Sequence, residues 1–169
     1  MTRIALLTAA VAALALLSAC DKGAKGTDIS ISGTDAQGKP ATARMDGATG
    51  RVTIDVPGVK VDVPLPRIEL DAGNFDVGGV KLYPGSIVSG LNILTDKHGG
   101  SGDGVTITFD APADPATVSA WFAEKMRKQD FSVTADGTSL AGKTDDGDPF
   151  SLKLTPGAAG HSIGIFETR

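Results

Sequence analysis

The chain of 169 residues holds one cysteine, two histidines, one tryptophan and one tyrosine, and aromatic residues make up only 5% of it. A single cysteine leaves no partner for a disulfide within the chain. Neither His98 nor His161 stands in a metal-binding or catalytic spacing; both lie beside glycines in expected loops, where a surface imidazole is the plain reading. No Gly-x-Ser-x-Gly elbow is present. The charge is not basic: the formal net charge is −4. That balance argues against nucleic acid as a partner and against a polybasic lipid-binding surface. The longest apolar stretch, residues 4–17, is 14 residues broken only by Thr8. A membrane-spanning helix needs roughly 20. With 22 glycines and few aromatics, short strands and many turns are favoured over a helical bundle.

What is present at the N-terminus has three parts: a basic start at Met1-Thr2-Arg3, the apolar run, and the small residues Ser18-Ala19 before Cys20. This is the layout of a secretory signal. Leu17-Ser18-Ala19-Cys20 resembles the lipobox of bacterial lipoproteins. The resemblance covers residues 1–20. It implies that Cys20 carries a diacylglyceryl thioether, that Ala19-Cys20 is the cleaved bond, and that 1–19 is a lipoprotein signal peptide. It also implies a partner, the membrane, held through acyl chains on Cys20. One chain gives marginal attachment and stable anchoring takes two signals, so two chains on one residue suffice. Acylation also consumes the only thiol, which excludes thiolate catalysis and cysteine-ligated zinc in the mature chain. Asp21 resembles an inner-membrane retention signal of enteric bacteria; inner and outer membrane both stay open, and the chain faces the periplasm or the exterior.

Without residues 1–19 the formal charge is −5, because Arg3 is lost from 16 basic residues against 20 acidic ones. The length suits one domain or two small modules. Residues 20–49 are rich in Gly, Lys, Thr, Ala and Asp, with only Ile29 and Ile31 alternating, and read as a flexible, disordered tether. Within 50–104, apolar residues alternate over 50–82, as in Val52-x-Ile54-x-Val56 and Val59-x-Val61-x-Val63-x-Leu65, and 97–104 is a glycine-rich loop. Period two predicts short strands with one buried face. Asp55-Val56-Pro57 recurs as Asp62-Val63-Pro64; two copies suit a meander better than a solenoid, which needs three or more units.

Residues 105–169 carry the clearest pattern. Val105, Ile107 and Phe109 alternate as a strand. Asp114-Pro115 supplies an N-cap and a first-turn proline. Val118, Trp121, Phe122 and Met126 then share one helical face, with Trp121 expected as a core anchor. Four strands follow, at 131–135, 138–143, 150–154 and 162–168, with Asp136-Gly137 as a hairpin turn between the first two. The predicted fold class is α+β, mostly β: an antiparallel sheet with one helix in the order β-α-β-β-β-β, preceded by short strands. A core of 65 residues is small, so 50–104 is expected to join 105–169 in one domain. Such units resemble helix-on-sheet modules of periplasmic lipoproteins, many without known activity.

Three further features carry weak chemistry. Asp145, Asp146 and Asp148 resemble part of a calcium loop but lack the alternate spacing and closing glutamate; a hairpin turn is the plain reading. The run 99–104 has no phosphate-loop Lys-Ser/Thr behind it. Asp96, His98 and Asp103, with His161 folded near, would be the place for an Asp/His-based hydrolase. A cavity between helix and sheet would suit a small apolar ligand. The favoured reading is a non-enzymatic envelope lipoprotein without cofactor or metal. It would meet an envelope protein or polymer at exposed strand edges.

Overall fold

The computed structural model describes residues 26–35, 37–95 and 103–169. Thirteen strands and one helix follow in chain order: β1 (Asp28–Thr34), β2 (Pro40–Met45), β3 (Arg51–Val56), β4 (Val59–Pro64), β5 (Leu70–Asp71), β6 (Asp76–Val77), β7 (Val80–Lys81), β8 (Ile87–Thr95), β9 (Gly104–Ala111), α1 (Pro115–Arg127), β10 (Ser132–Asp136), β11 (Ser139–Lys143), β12 (Pro149–Pro156) and β13 (Ser162–Thr168). The class is α+β, mostly β. The unit β9-α1-β10-β11-β12-β13 has the predicted β-α-β-β-β-β order.

One sheet runs β10-β11-β12-β13-β9-β8-β1-β2-β3-β4, with β5 added at the end of β8 and β6–β7 as a separate small ribbon. The predicted β-α-β-β-β-β unit is antiparallel throughout, and it belongs to a larger sheet that is mixed. Every pairing is antiparallel except β1 on β8, where Ile29 lies opposite Leu91 and Ile31 opposite Ile93. Residues 26–95 and 103–169 are joined through that sheet by the β8–β9 pair.

The helix forms where its sequence pattern places it. The Asp114 carboxylate accepts from the amides of Ala116 and Thr117, each at 3.0 Å, and from the Thr117 hydroxyl at 2.6 Å. The Thr117 hydroxyl and amide hold the Asp114 carboxyl below its ordinary value. This cap therefore supports the fold above the carboxylate range and fades as pH falls through the lowered pKa. Val118, Phe122 and Met126 point down onto Ile107, Phe109, Leu140, Leu152 and Leu154, all buried. Trp121 is half-buried at the margin, its ring edge-on to Phe122 at 5.0 Å and to Tyr83 at 5.6 Å. Past the helix, Asp130 takes φ 61° and the Phe131 amide returns to the Met126 carbonyl at 3.1 Å, which turns the chain into β10.

The tether expected over 20–49 needs correction. Residues 28–34 and 40–45 form β1 and β2, and β1 sits inside the sheet between β8 and β2. Ala41, Ala43 and Met45 are weak strand signals, and the pairing energy comes from distant partners. The expected buried face on β3 and β4 is corrected too: every residue of β4 is exposed. The alternation there is real, but the helix packs on β10–β13 and stops short of this wing. The repeat is resolved as a meander, with β2, β3 and β4 paired in sequence.

Thr27 holds the seam where the two halves meet. It is fully buried. Its amide donates to the Ile68 carbonyl at 2.8 Å. Its hydroxyl donates to the Val88 carbonyl at 2.7 Å and accepts from the Leu70 amide at 3.0 Å. One side chain thus ties the start of β1 to β5 and β8. Deep in the other half, Gly164 lies against the Phe109 ring so closely that an added Cβ would come within 2.1 Å of it.

Two stability measurements check this account. Thr27→Val should destabilise by about 1–3 kcal/mol, because it strands a buried carbonyl and a buried amide, while Thr27→Ser should recover most of that loss in chemical denaturation. Gly164→Ala should cost about 1–3 kcal/mol through overpacking against Phe109; a midpoint equal to wild type would contradict the close ring contact.

Candidate functional site

In-register partners across a sheet point to the same side, so the pairing register sorts the side chains into two faces. On the helix side one row reads Val63, Val52, Met45, Ile29, Leu91, Ile107, Phe166, Leu152, Leu140. The next reads Val61, Ile54, Ala43, Ile31, Ile93, Val105. The core face therefore continues without a break onto β1–β4. Ile31, Ile54, Val59, Val61 and Val63 remain 36–54% exposed there, against near-complete burial of Ile107 and Leu152 under the helix.

The opposite face of the same wing is made for water. Arg51 pairs with Asp62 at 2.7 Å and Lys60 with Asp55 at 3.6 Å. These pairs are exposed and contribute little to stability. Where β2, β1, β8 and β9 lie side by side, this polar face sinks into an open trough of about 490 Å³. Gly90 lacks a side chain in its floor, and Asp28, Ser30, Arg44, Asn92 and Thr108 line it. Asp28 is committed to the Gly47 amide at 2.7 Å. Among the described residues Arg44 forms no ion pair. Asp46, at the rim, is held below the ordinary carboxylate range by the amide and then the hydroxyl of Thr49, so it stays ionised to lower pH. The trough offers hydroxyls, an amide, one guanidinium and the carboxylates of Asp28 and Asp46, a set suited to a polar ligand.

A histidine–carboxylate pair lies further along that face. His161 Nδ1 is 2.6 Å from Asp110 Oδ1, and both side chains are about half exposed. The carboxylate can orient the imidazole, as in a relay, but among the described residues no hydroxyl bonds the ring to complete one. Asp103 stands at the other end of β9 from Asp110. Seven residue steps along the strand separate them by about 23 Å, so Asp103 and His161 do not share a site.

Asp145, Asp146 and Asp148 form the expected turn: the Thr144 amide donates to the Asp148 carbonyl at 2.9 Å, and the Gly147 amide to the Thr144 carbonyl at 3.0 Å. Among the described residues no three acidic, histidine or cysteine side chains group so as to hold a metal ion. Between helix and sheet, Val118, Phe122 and Met126 join Ile107, Phe109, Leu152 and Leu154 in one buried apolar cluster. Ala19, Cys20, Asp21, Asp96 and His98 lie outside the described residues. Among those described, no helix is long and apolar enough to cross a membrane. Sequence reading missed the trough and the His161–Asp110 pair. Arg44 sat in the supposed tether, and no local spacing links residue 110 to 161.

No protein-family model matches this chain, and no curated protein and no solved structure matches it either.

The His161–Asp110 geometry carries its own measurement. A double-mutant cycle with His161→Ala and Asp110→Ala should give a coupling of no more than about 1 kcal/mol, as expected of a half-exposed pair. Raising the salt concentration should shrink it further.

Proposed function

We propose that this chain is a lipid-anchored cell-envelope protein with a binding role rather than a catalytic one. The observation that carries the reading is Leu17-Ser18-Ala19-Cys20 directly behind a 14-residue apolar run and a basic start. Cys20 is the lipid-modified residue, Ala19-Cys20 the processed bond, and Asp21 the residue that bears on sorting between membranes. The sheet supports a binding role in two ways. Among the described residues it ends in two edge strands, β4 and β10, whose outer backbone groups can accept an added strand from an envelope protein. Its polar face carries the trough lined by Arg44, Asp28 and Asp46, which suits a polar polymer or peptide.

The test is membrane fractionation of the tagged wild type beside Cys20→Ala, with intact-mass analysis of the mature chain. The wild type should sediment with membranes and carry a diacylglyceryl mass on its first residue; Cys20→Ala should move to the soluble fraction. A wild-type chain recovered free in solution, or a mature N-terminus other than Cys20, would overturn the anchor. Crosslinking in intact envelopes should recover the same partner with wild type and lose it when Arg44→Glu reverses the charge of the trough.

A further inference from the structure

Within the described residues the apolar side of β1–β4 is only partly covered: Met45 is buried, but Ile31, Ile54, Val59, Val61 and Val63 stay exposed. The wing spans four strands by six residues, about 400 Å² at normal strand spacings, and its exposed apolar part is within the range of the largest patch on a typical monomer, which is often functional. The two sides of the wing differ sharply: Val59, Val61 and Val63 project to one side of β4, and Lys60 and Asp62 to the other. Such a wing is amphipathic in the way an interfacial element is.

The occupant follows from where the chain enters the sheet. Only six peptide steps separate Cys20 from Gly26, a reach of at most about 22 Å. Gly26 and Thr27 lie against Ile68, whose carbonyl accepts the Thr27 amide. Leu65 and Ile68 are 49% and 43% exposed at that same end. The Leu65 amide is bound to the Gly50 carbonyl at 2.8 Å, which puts it beside the start of β3. The apolar row nearest that end is Ile29, Met45, Val52, Val63. Val63, Leu65 and Ile68 are exposed at the end that an anchor at Cys20 would reach, and Ile31, Ile54, Val61 and Val59 carry the exposed apolar surface on along the same side. Helix α1 lies on the same side of the sheet but over β10–β13. A twist of roughly 20–25° per strand turns that half away from the plane of the wing.

We propose that the apolar side of β1–β4, with Leu65 and Ile68 at its anchored end, rests on the surface of the lipid bilayer. This rests on the Cys20 anchor proposed above. The bilayer covers what the helix leaves open, and the polar side with the Arg44 trough faces away from the lipid. The anchor then fixes orientation as well as location.

The experiment uses the lipidated chain, purified from membranes and reconstituted into phosphatidylethanolamine–phosphatidylglycerol vesicles. Val61→Cys and Lys60→Cys place an environment-sensitive fluorophore on opposite sides of β4; Val63→Cys serves as a second probe of the apolar side. Flotation reports attachment, and spin-labelled lipid reports contact with the bilayer. The chain should float, with the probes at 61 and 63 shifted to the blue and quenched about threefold more than the probe at 60. Equal quenching at 61 and 60 on a floating chain overturns the inference and leaves the anchor standing. A blue shift at 61 that lipid spin labels do not quench, and that grows with protein density, overturns it in favour of a second copy of the chain. A chain that fails to float removes the anchor and the inference together.

Discussion

The parallel contact of β1 with β8 is the constraint on which the rest of the molecule depends. Both β8 and β9 are anchored to the helix-covered half, through Val88 and Phe109 in the core. Within the sheet, β2, β3 and β4 reach that half by way of β1. Thr27 secures the start of the contact by satisfying polar groups on three segments at once. A buried hydroxyl with both of its roles filled contributes little net energy, but leaving its partners unpaired is costly. The seam thus specifies where β1 docks more than it adds to total stability.

From that docking follows the asymmetry of the sheet. Ten strands form one continuous surface, and a single helix of 13 residues can shield only part of it. The hydrophobic rows nonetheless run on past the shielded part. A chain selected only for solubility would carry polar residues at Ile31, Ile54, Val61 and Val63, because water meets that side. If Cys20 anchors the chain as proposed, the bilayer is the nearest surface to cover them, and the polar side, with its ion pairs and Arg44 trough, faces away from it.

Much of the helix-covered half was legible in the residues. Asp114-Pro115, the i, i+3, i+4 spacing of Val118, Trp121 and Phe122, and the Asp136-Gly137 turn are local signals, and local chemistry decides them. The wing was legible only in part. Its alternation announced strands at 51–56 and 59–64, but alternation says that one side is apolar, not that anything covers it. β1 and β2 were hidden because Ala, Ser and Thr commit to no structure by themselves; they are strands because β8 and β3 offer ladders to pair with. The candidate site was less legible still. Arg44 joins Asn92 and Thr108, and His161 joins Asp110, across separations of about fifty residues or more.

By itself the sequence determined the features that depend on neighbours along the chain: the helix and its cap, the hairpin turns, the two-residue rhythm of most strands, and the N-terminal residues that resemble a lipobox. Which strands lie side by side, that one pair is parallel, which apolar residues are covered and which polar ones meet around Gly90 were decided only in the tertiary structure. The reason is that strand pairing is non-local. A ladder forms between backbones that carry almost no identity of their own, so partner and face emerge only when every strand has found a place.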